Sequence, residues 1–255
     1  LARSVRDSAA VLDAISGPMP GDPAPMDWVH GQFAEAAGHQ PEQPLRIGLM
    51  DSHAGTTVHP DCVEAVQLAA KTLEELDHHV EASYPAAVEN AEFGTHFSRQ
   101  MCASVAWLLD HYWPQHTGVP ITEQDVEPLT WIMAQIGRKM NGGDYLAGRE
   151  AQQRFSRDIA QWFDDGNFDL LLTPTTPMRA PDVGTVAPFD AAYFTFPFNC
   201  SGQPAISLPL HQSSDGLPVG VQLVARHGRE DLLLSIAAQL EQHCGWTTRK
   251  PPLSA

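Results

Sequence analysis

Apolar residues fall three and four apart over the first stretch of the chain, at Val5, Ala9, Leu12 and Ile15, behind a Ser4-x-x-Asp7 capping box. That pattern predicts a helix, and Gly17-Pro18 ends it. Residues 18–44 are rich in Pro, Gly and Ala, with one weak helical patch near Phe33, and read as a long surface connection. The period then changes. Residues 45–50 are short and apolar, as a buried strand is. Pro60 opens a helix with Val63, Val66, Ala70, Leu73 and Leu76 on one face, and residues 80–82 suit a second strand. This β-α-β rhythm predicts a parallel or mixed sheet covered by helices.

Residues 88–163 change to helical spacing. Phe93, Phe97, Met101, Val105 and Leu108 form one stripe, and Trp131, Ile132, Gln135 and Ile136 mark a second helix. Gly142-Gly143 reads as a break before a third helix over 145–163. Residues 168–173 are a compact apolar strand ended by Pro174. Two further strands, 205–210 and 219–224, flank the turn signal Asp215-Gly216 and predict a hairpin. A closing helix over 229–243 carries Leu232, Leu233, Ile236, Ala237 and Leu240. The expected fold class is α/β, a mixed β-sheet sandwiched by helices.

Composition narrows the function classes. With 255 residues, 43% hydrophobic and 18% charged, the chain can bury a sizeable core and is not of the disordered class. No apolar run approaches the roughly 20 residues of a membrane helix, so no membrane partner is expected. Acidic residues outnumber basic ones 31 to 15, giving −16, a field that repels phosphate backbones and disfavours nucleic acid. Cys62, Cys102, Cys200 and Cys244 are widely spaced and suggest free thiols in a reducing cytosol, hence a cytoplasmic location. Leu1-Ala2-Arg3-Ser4 has neither an initiator Met nor a signal region, so the sequence reads as a chain opened mid-protein, a fragment or processed form, the alternative being a natural short N-terminus with its Met removed. Twelve histidines, including His78-His79, His111 and His116, show no helix-borne zinc spacing, and no glycine-rich phosphate loop occurs; no metal or cofactor is expected.

The last third carries the distinctive motifs. Asp169-Leu-Leu-Leu-Thr-Pro-Thr-Thr-Pro177 is followed by Ala180-Pro181 and Gly184, then by Pro197-Phe-Asn-Cys-Ser-Gly-Gln-Pro-Ala-Ile-Ser-Leu-Pro209. Gly216-Leu-Pro-Val-Gly-Val-Gln-Leu-Val224 and Glu230-Asp-Leu-Leu-Leu234 complete the series. In this order and spacing the segments resemble the C-terminal region of the amidase signature family. Residues 1–17, with Asp22, resemble the stretch that follows that family's nucleophile; residues 85–145 match only in being helical.

The resemblance implies residues 1–255 as the C-terminal part of a single amidase domain, with 85–165 as a helical specificity region within it. It implies hydrolysis of a carboxamide through a serine acyl-enzyme, using a Ser nucleophile, a second Ser in a cis peptide and a neutral Lys as base. The Gly-Gly-Ser-Ser-Gly type loop that holds those serines does not occur in this sequence. The Ser213-Ser214 pair falls in the expected hairpin turn, and Lys71, Lys139 and Lys250 match no family lysine motif. No catalytic residue is therefore carried over, and the chain alone is expected to be inactive.

Six residues remain as substrate-side candidates. Thr173 and Thr175 sit at a strand's carboxyl end, where α/β sheets bind ligands; loop capping explains them equally well. Asn199 and Gln203 flank Gly202 in a turn, either at the pocket or only shaping the sheet around it. Cys102 and Trp131 belong to an apolar wall that suits an uncharged amide or simple packing, with Arg138 or Arg149 available for a substrate carboxylate. The expected partners are a small-molecule amide and a missing N-terminal segment of the same fold, with an oligomer open. Two rival readings are an amidase-type subunit of a tRNA-dependent amidotransferase and a non-catalytic binding module.

Overall fold

A computed structural model describes residues 1–22, 31–185 and 190–249. Residues 23–30 of the expected surface connection, and Lys250, lie outside these. Along the chain run α1 (Val5–Ile15), α2 (Gln32–Ala36), β1 (Arg46–Leu49), α3 (Pro60–Glu75), β2 (His79–Ala82), α4 (Ala91–Trp107), α5 (Trp113–Thr117), α6 (Pro128–Gly137), α7 (Gly142–Asp165), β3 (Leu170–Pro174), α8 (Phe196–Ser201), β4 (Ala205–Gln212), β5 (Pro218–Ala225) and α9 (Glu230–Cys244). They group into two compact units, one of residues 1–85 and 160–255 and one of residues 86–159.

The first unit is built on a five-stranded sheet of order β2-β1-β3-β5-β4. β1 pairs parallel with β2 and with β3, whereas β5 is antiparallel to both β3 and β4, so the sheet is mixed. Every residue of β3 is buried, as befits a central strand covered on both faces. Period-two alternation sorts the faces. Leu170, Leu172, Val221, Leu223 and Leu208 join Val66 and Leu73 of α3 and Ile236 and Leu240 of α9 in one apolar cluster. On the opposite face Gly48 meets the last turns of α7: a Cβ there would lie 2.6 Å from Trp162 and 2.5 Å from the Ser83 carbonyl. Only glycine allows that approach. Trp162 stacks on Phe168 at 4.3 Å and donates Nε1–H to Ser83 Oγ at 3.1 Å. Helices thus sandwich the sheet, as the sequence predicts.

Local signals explain most element ends. Ser4 Oγ accepts the Asp7 N–H at 3.1 Å and starts α1. Asp13, on the buried side of α1, caps α2 instead: its carboxylate accepts the N–H groups of Phe33 (3.2 Å) and Ala34 (2.8 Å). α2 begins on Gly31 in the left-handed region and has no side-chain cap of its own, so this buried carboxylate satisfies its first amides. The expected break at Gly142-Gly143 is instead the first turn of α7. Asn141 Oδ1 accepts the Asp144 N–H at 2.9 Å, and this cap outweighs the weak helix propensity of two glycines.

In the second unit α4 packs on α6. A Cβ on Gly137 would lie 2.0 Å from the Cys102 carbonyl oxygen, so glycine sets the helix separation. Ala106, Leu109 and Ala134 form the core of this contact, with Trp131 packed against it. Phe93 of α4 stacks on Phe155 of α7 at 3.8 Å. Residues Leu108–Tyr112 form one wide π-helical turn between α4 and α5.

Candidate functional site

The parallel strands β1 and β3 end side by side, with the Met50 N–H on the Leu172 carbonyl at 3.0 Å. Carboxyl ends of parallel strands are the ligand-binding edge of α/β sheets. Here the register places polar residues in one row: Thr173 lies opposite Gln222, and Gln222 opposite Ser207. Thr173 is 0% and Gln222 3% exposed, so each needs a partner. Gln222 Nε2 donates to Thr173 Oγ1 at 3.0 Å and to the Phe194 carbonyl at 2.7 Å, and the Thr173 hydroxyl donates to the Pro174 carbonyl at 2.8 Å. This network ties the strand end to the segment that carries Tyr193 and Phe194.

Thr175 extends the row outward. Its N–H bonds the Gly220 carbonyl at 3.1 Å, and its hydroxyl pairs with Ser207 Oγ at 2.7 Å. Gly220 lies under the pair: a Cβ there would come within 2.9 Å of both hydroxyl oxygens. Ser207 is exposed and Thr175 half-buried, so the hydroxyls form an accessible polar floor. At the end of β1, His53 packs edge-on against Tyr193 (5.1 Å) and Phe194 (5.8 Å). Its Nδ1 accepts the Gly55 N–H at 2.9 Å, which leaves Nε2 to carry the proton of the neutral ring.

The sequence candidates separate. Thr173 and Thr175 meet Gln222, Ser207 and Gly220 at the strand end. Asn199 is exposed on α8; Gln203 is buried just before β4 and accepts the Ser201 hydroxyl. Between them Gly202 caps α8 in the left-handed region, φ 85°. Cys102 and Trp131 lie in the second unit. Cys102 is buried, and burial raises its thiol pKa. Trp131 lies under Arg138, whose guanidinium is 4.7 Å from the ring. The Arg138 fork is engaged by Asp110, at 2.7 and 3.0 Å, and Arg149 bonds Gln152 at 3.1 Å. Gln222, Ser207 and His53 are not among the residues that sequence reasoning selects. A glutamine inside an otherwise apolar strand was the available signal for Gln222.

Several alternatives for chemistry are structurally engaged. Ser213 sits in the β4–β5 turn, donating to Asp215 and accepting the Leu217 N–H at 3.1 Å. Lys71 is exposed on α3, 3.9 Å from Glu75. His78 is buried between the Leu45 N–H (3.0 Å) and Gln239 (2.9 Å). Burial pushes the Cys200 thiol up to about 12, which removes it as a thiolate nucleophile. No group of three His, Cys, Asp or Glu suited to a metal occurs among the described residues. Nor, among them, is any helix long and apolar enough to cross a membrane. An open cavity of about 420 Å³ beside α9 is lined by Gln40, Gln239, Glu241 and Gln242. Those groups already bond Gln242, His78, the Val5 N–H and Gln40 respectively, so it offers few free polar contacts.

Comparison with known proteins follows the same lines. The family model described as Amidase matches residues 1–234. The chain is 35% identical over 271 residues to the 6-aminohexanoate-cyclic-dimer hydrolase of Paenarthrobacter ureafaciens, covering 99% of this chain and 54% of that protein. It is 29% identical over 278 residues to a glutamyl-tRNA(Gln) amidotransferase subunit of Picosynechococcus sp., covering 99% of this chain and 56% of that one. A solved 6-aminohexanoate cyclic dimer hydrolase superposes with a TM-score of 0.90 at 35% identity, over 99% of this chain and 56% of the other. The chain spans about half the length of the curated relatives it matches.

Proposed function

The chain belongs to the amidase signature family, and from that premise we propose that it forms the C-terminal, substrate-side part of an amidase hydrolysing an uncharged carboxamide. In this reading a Ser–cis-Ser–Lys centre, supplied by residues outside the sequence described, attacks the carbonyl and forms an acyl-enzyme that water then cleaves. The observation that carries the reading is the end-to-end match, 99% of this chain against 54% of a cyclic-dimer hydrolase. The cyclic dimer of 6-aminohexanoate is a neutral diamide, which fits a site edged by hydroxyls, an amide and aromatic rings better than one built around a charge. Thr175, Ser207 and His53 supply hydrogen-bonding groups at the β1 and β3 ends.

The test is complementation. The 255-residue chain is mixed or co-expressed with an N-terminal segment bearing a Lys motif and a Gly-Ser-Ser-Gly loop, and hydrolysis of neutral amides, including 6-aminohexanoate cyclic dimer, is measured. Hydrolysis and labelling by a fluorophosphonate probe are expected only with the segment present. Labelling and turnover by the chain alone would defeat the proposal. The amidotransferase reading is favoured by the match to the glutamyl-tRNA(Gln) amidotransferase subunit. It requires further subunits, so copurification with them and ammonia transfer dependent on them would select it.

A further inference from the structure

We propose that Arg179 is the positioning residue of the turn that follows β3, holding Thr175 and its hydroxyl at the strand end. Substrate contact by Thr175 rests on the amidase reading; the fastening of the turn does not. Residues 174–180 leave the centre of the sheet with Pro174 and Pro177 in them, and prolines donate no backbone hydrogen bond. The turn is therefore fastened from outside. The Pro177 carbonyl accepts the His59 N–H at 2.7 Å, just ahead of α3. Two residues on, Arg179 reaches two elements at once: its Nη1 lies 2.9 Å from Asp215 Oδ2, in the β4–β5 turn, and 3.5 Å from Asp61 Oδ2, in the first turn of α3.

Neither carboxylate is indifferent to the cation. Asp61 Oδ2 is buried and accepts no hydrogen bond, so the guanidinium is its nearby compensation. Removing one partner of such a pair leaves a charge in a poorly solvated place. Asp215 already takes the Ser213 hydroxyl, which fixes the hairpin turn that Arg179 grips. Arg179 thus links α3, the hairpin and the turn into one frame. Thr175 lies inside that frame, between its backbone bond to Gly220 and its side-chain bond to Ser207. A single nitrogen makes both ionic contacts, so an ammonium group can replace it in part, and a neutral isostere cannot.

Amide hydrogen exchange of the 255-residue chain reads the frame directly. Arg179→Met is expected to speed exchange of the Thr175 amide at least tenfold while the amides of β3 and α9 keep their protection. Arg179→Lys is expected to restore most of it. An unchanged Thr175 amide in Arg179→Met, or equal acceleration across the whole sheet, overturns the inference. In the complemented amidase, Arg179→Met should raise KM about tenfold with kcat within a factor of two, and Arg179→Lys should rescue it; an equal fall in kcat and kcat/KM contradicts a positioning role. If the parent chain hydrolyses nothing when complemented, the functional reading fails, and the exchange experiment still decides the role of Arg179.

Discussion

Gly220 is where sequence, packing and site meet most closely, and Gly220→Ala tests whether the hydroxyl floor is built around it. An alanine in a strand loses less entropy on folding than glycine, a gain of about 0.5–1 kcal/mol. Against it stands overlap: the new methyl would lie 2.9 Å from Ser207 Oγ, 2.9 Å from Thr175 Oγ1 and 3.2 Å from Thr175 Cβ. Ser207 is exposed and can rotate away. Thr175 can turn its hydroxyl but not its Cβ, because its N–H is bound to the Gly220 carbonyl itself and the backbone is held there. Overpacking of this kind costs about 1–3 kcal/mol, and the mid-values of cost and gain leave a net loss of about 1 kcal/mol. For a chain of this size that is a fall in Tm of roughly 2–4 °C per kcal/mol.

The control is Ser207→Ala. Alone it removes one neutral hydrogen bond at an exposed position, about 0.5–1 kcal/mol. Combined with Gly220→Ala it also removes one of the two overlapping oxygens, so the double variant should be more stable than the sum predicts by at least ~0.5 kcal/mol. Urea unfolding of the four chains, followed by far-UV circular dichroism, measures the coupling. A Gly220→Ala chain as stable as its parent, or strictly additive effects, would show that the two hydroxyls are not held by the glycine.

Two further outcomes follow from titratable groups. The Arg138 hydrogen bonds hold the Asp110 carboxyl below its ordinary value. A depressed folded pKa stabilises above the unfolded value of about 4 and is lost as pH falls through the lower folded one, so the α4–α6 pair should loosen across that acid window and Asp110→Asn should flatten the dependence. Protection of α6 amides against pH measures it, and an identical slope in Asp110→Asn refutes the assignment. Burial raises the thiols of Cys62, Cys102, Cys200 and Cys244, Cys200 to about 12. Iodoacetamide at pH 8 should therefore label the folded chain at least tenfold more slowly than the urea-unfolded one, and rapid labelling of native Cys200 would contradict its burial.

What was readable in the sequence was whatever local chemistry decides. The capped stripe of α1, the proline opening α3 and the turn chemistry between β4 and β5 all needed no distant partner. The unread features are those whose cause lies far along the chain. Asp13 looks like a polar residue on a helix face until Phe33 and Ala34 present their amides to it. Gln222 looks like an interruption in an apolar strand until the Phe194 carbonyl, 28 residues away, takes one of its protons. Gly142 and Gly143 mislead in the other direction, because their propensity alone omits the Asn141 cap beside them.

The site was half legible for the same reason. Thr173 and Thr175 could be chosen from the end of an apolar run, but Ser207 could not, since a strand's two faces exchange if its register slips by one residue. With the register fixed, the faces differ sharply beside the strand end. One presents Leu172, Leu208, Val221 and Leu223 to the helices; the other presents Thr173, Ser207, Gly220 and Gln222. Under the amidase reading proposed above, the hydroxyls of Thr175 and Ser207 would serve as donors and acceptors held by a rigid sheet, with the buried Thr173–Gln222 pair fixing the strand end beneath them.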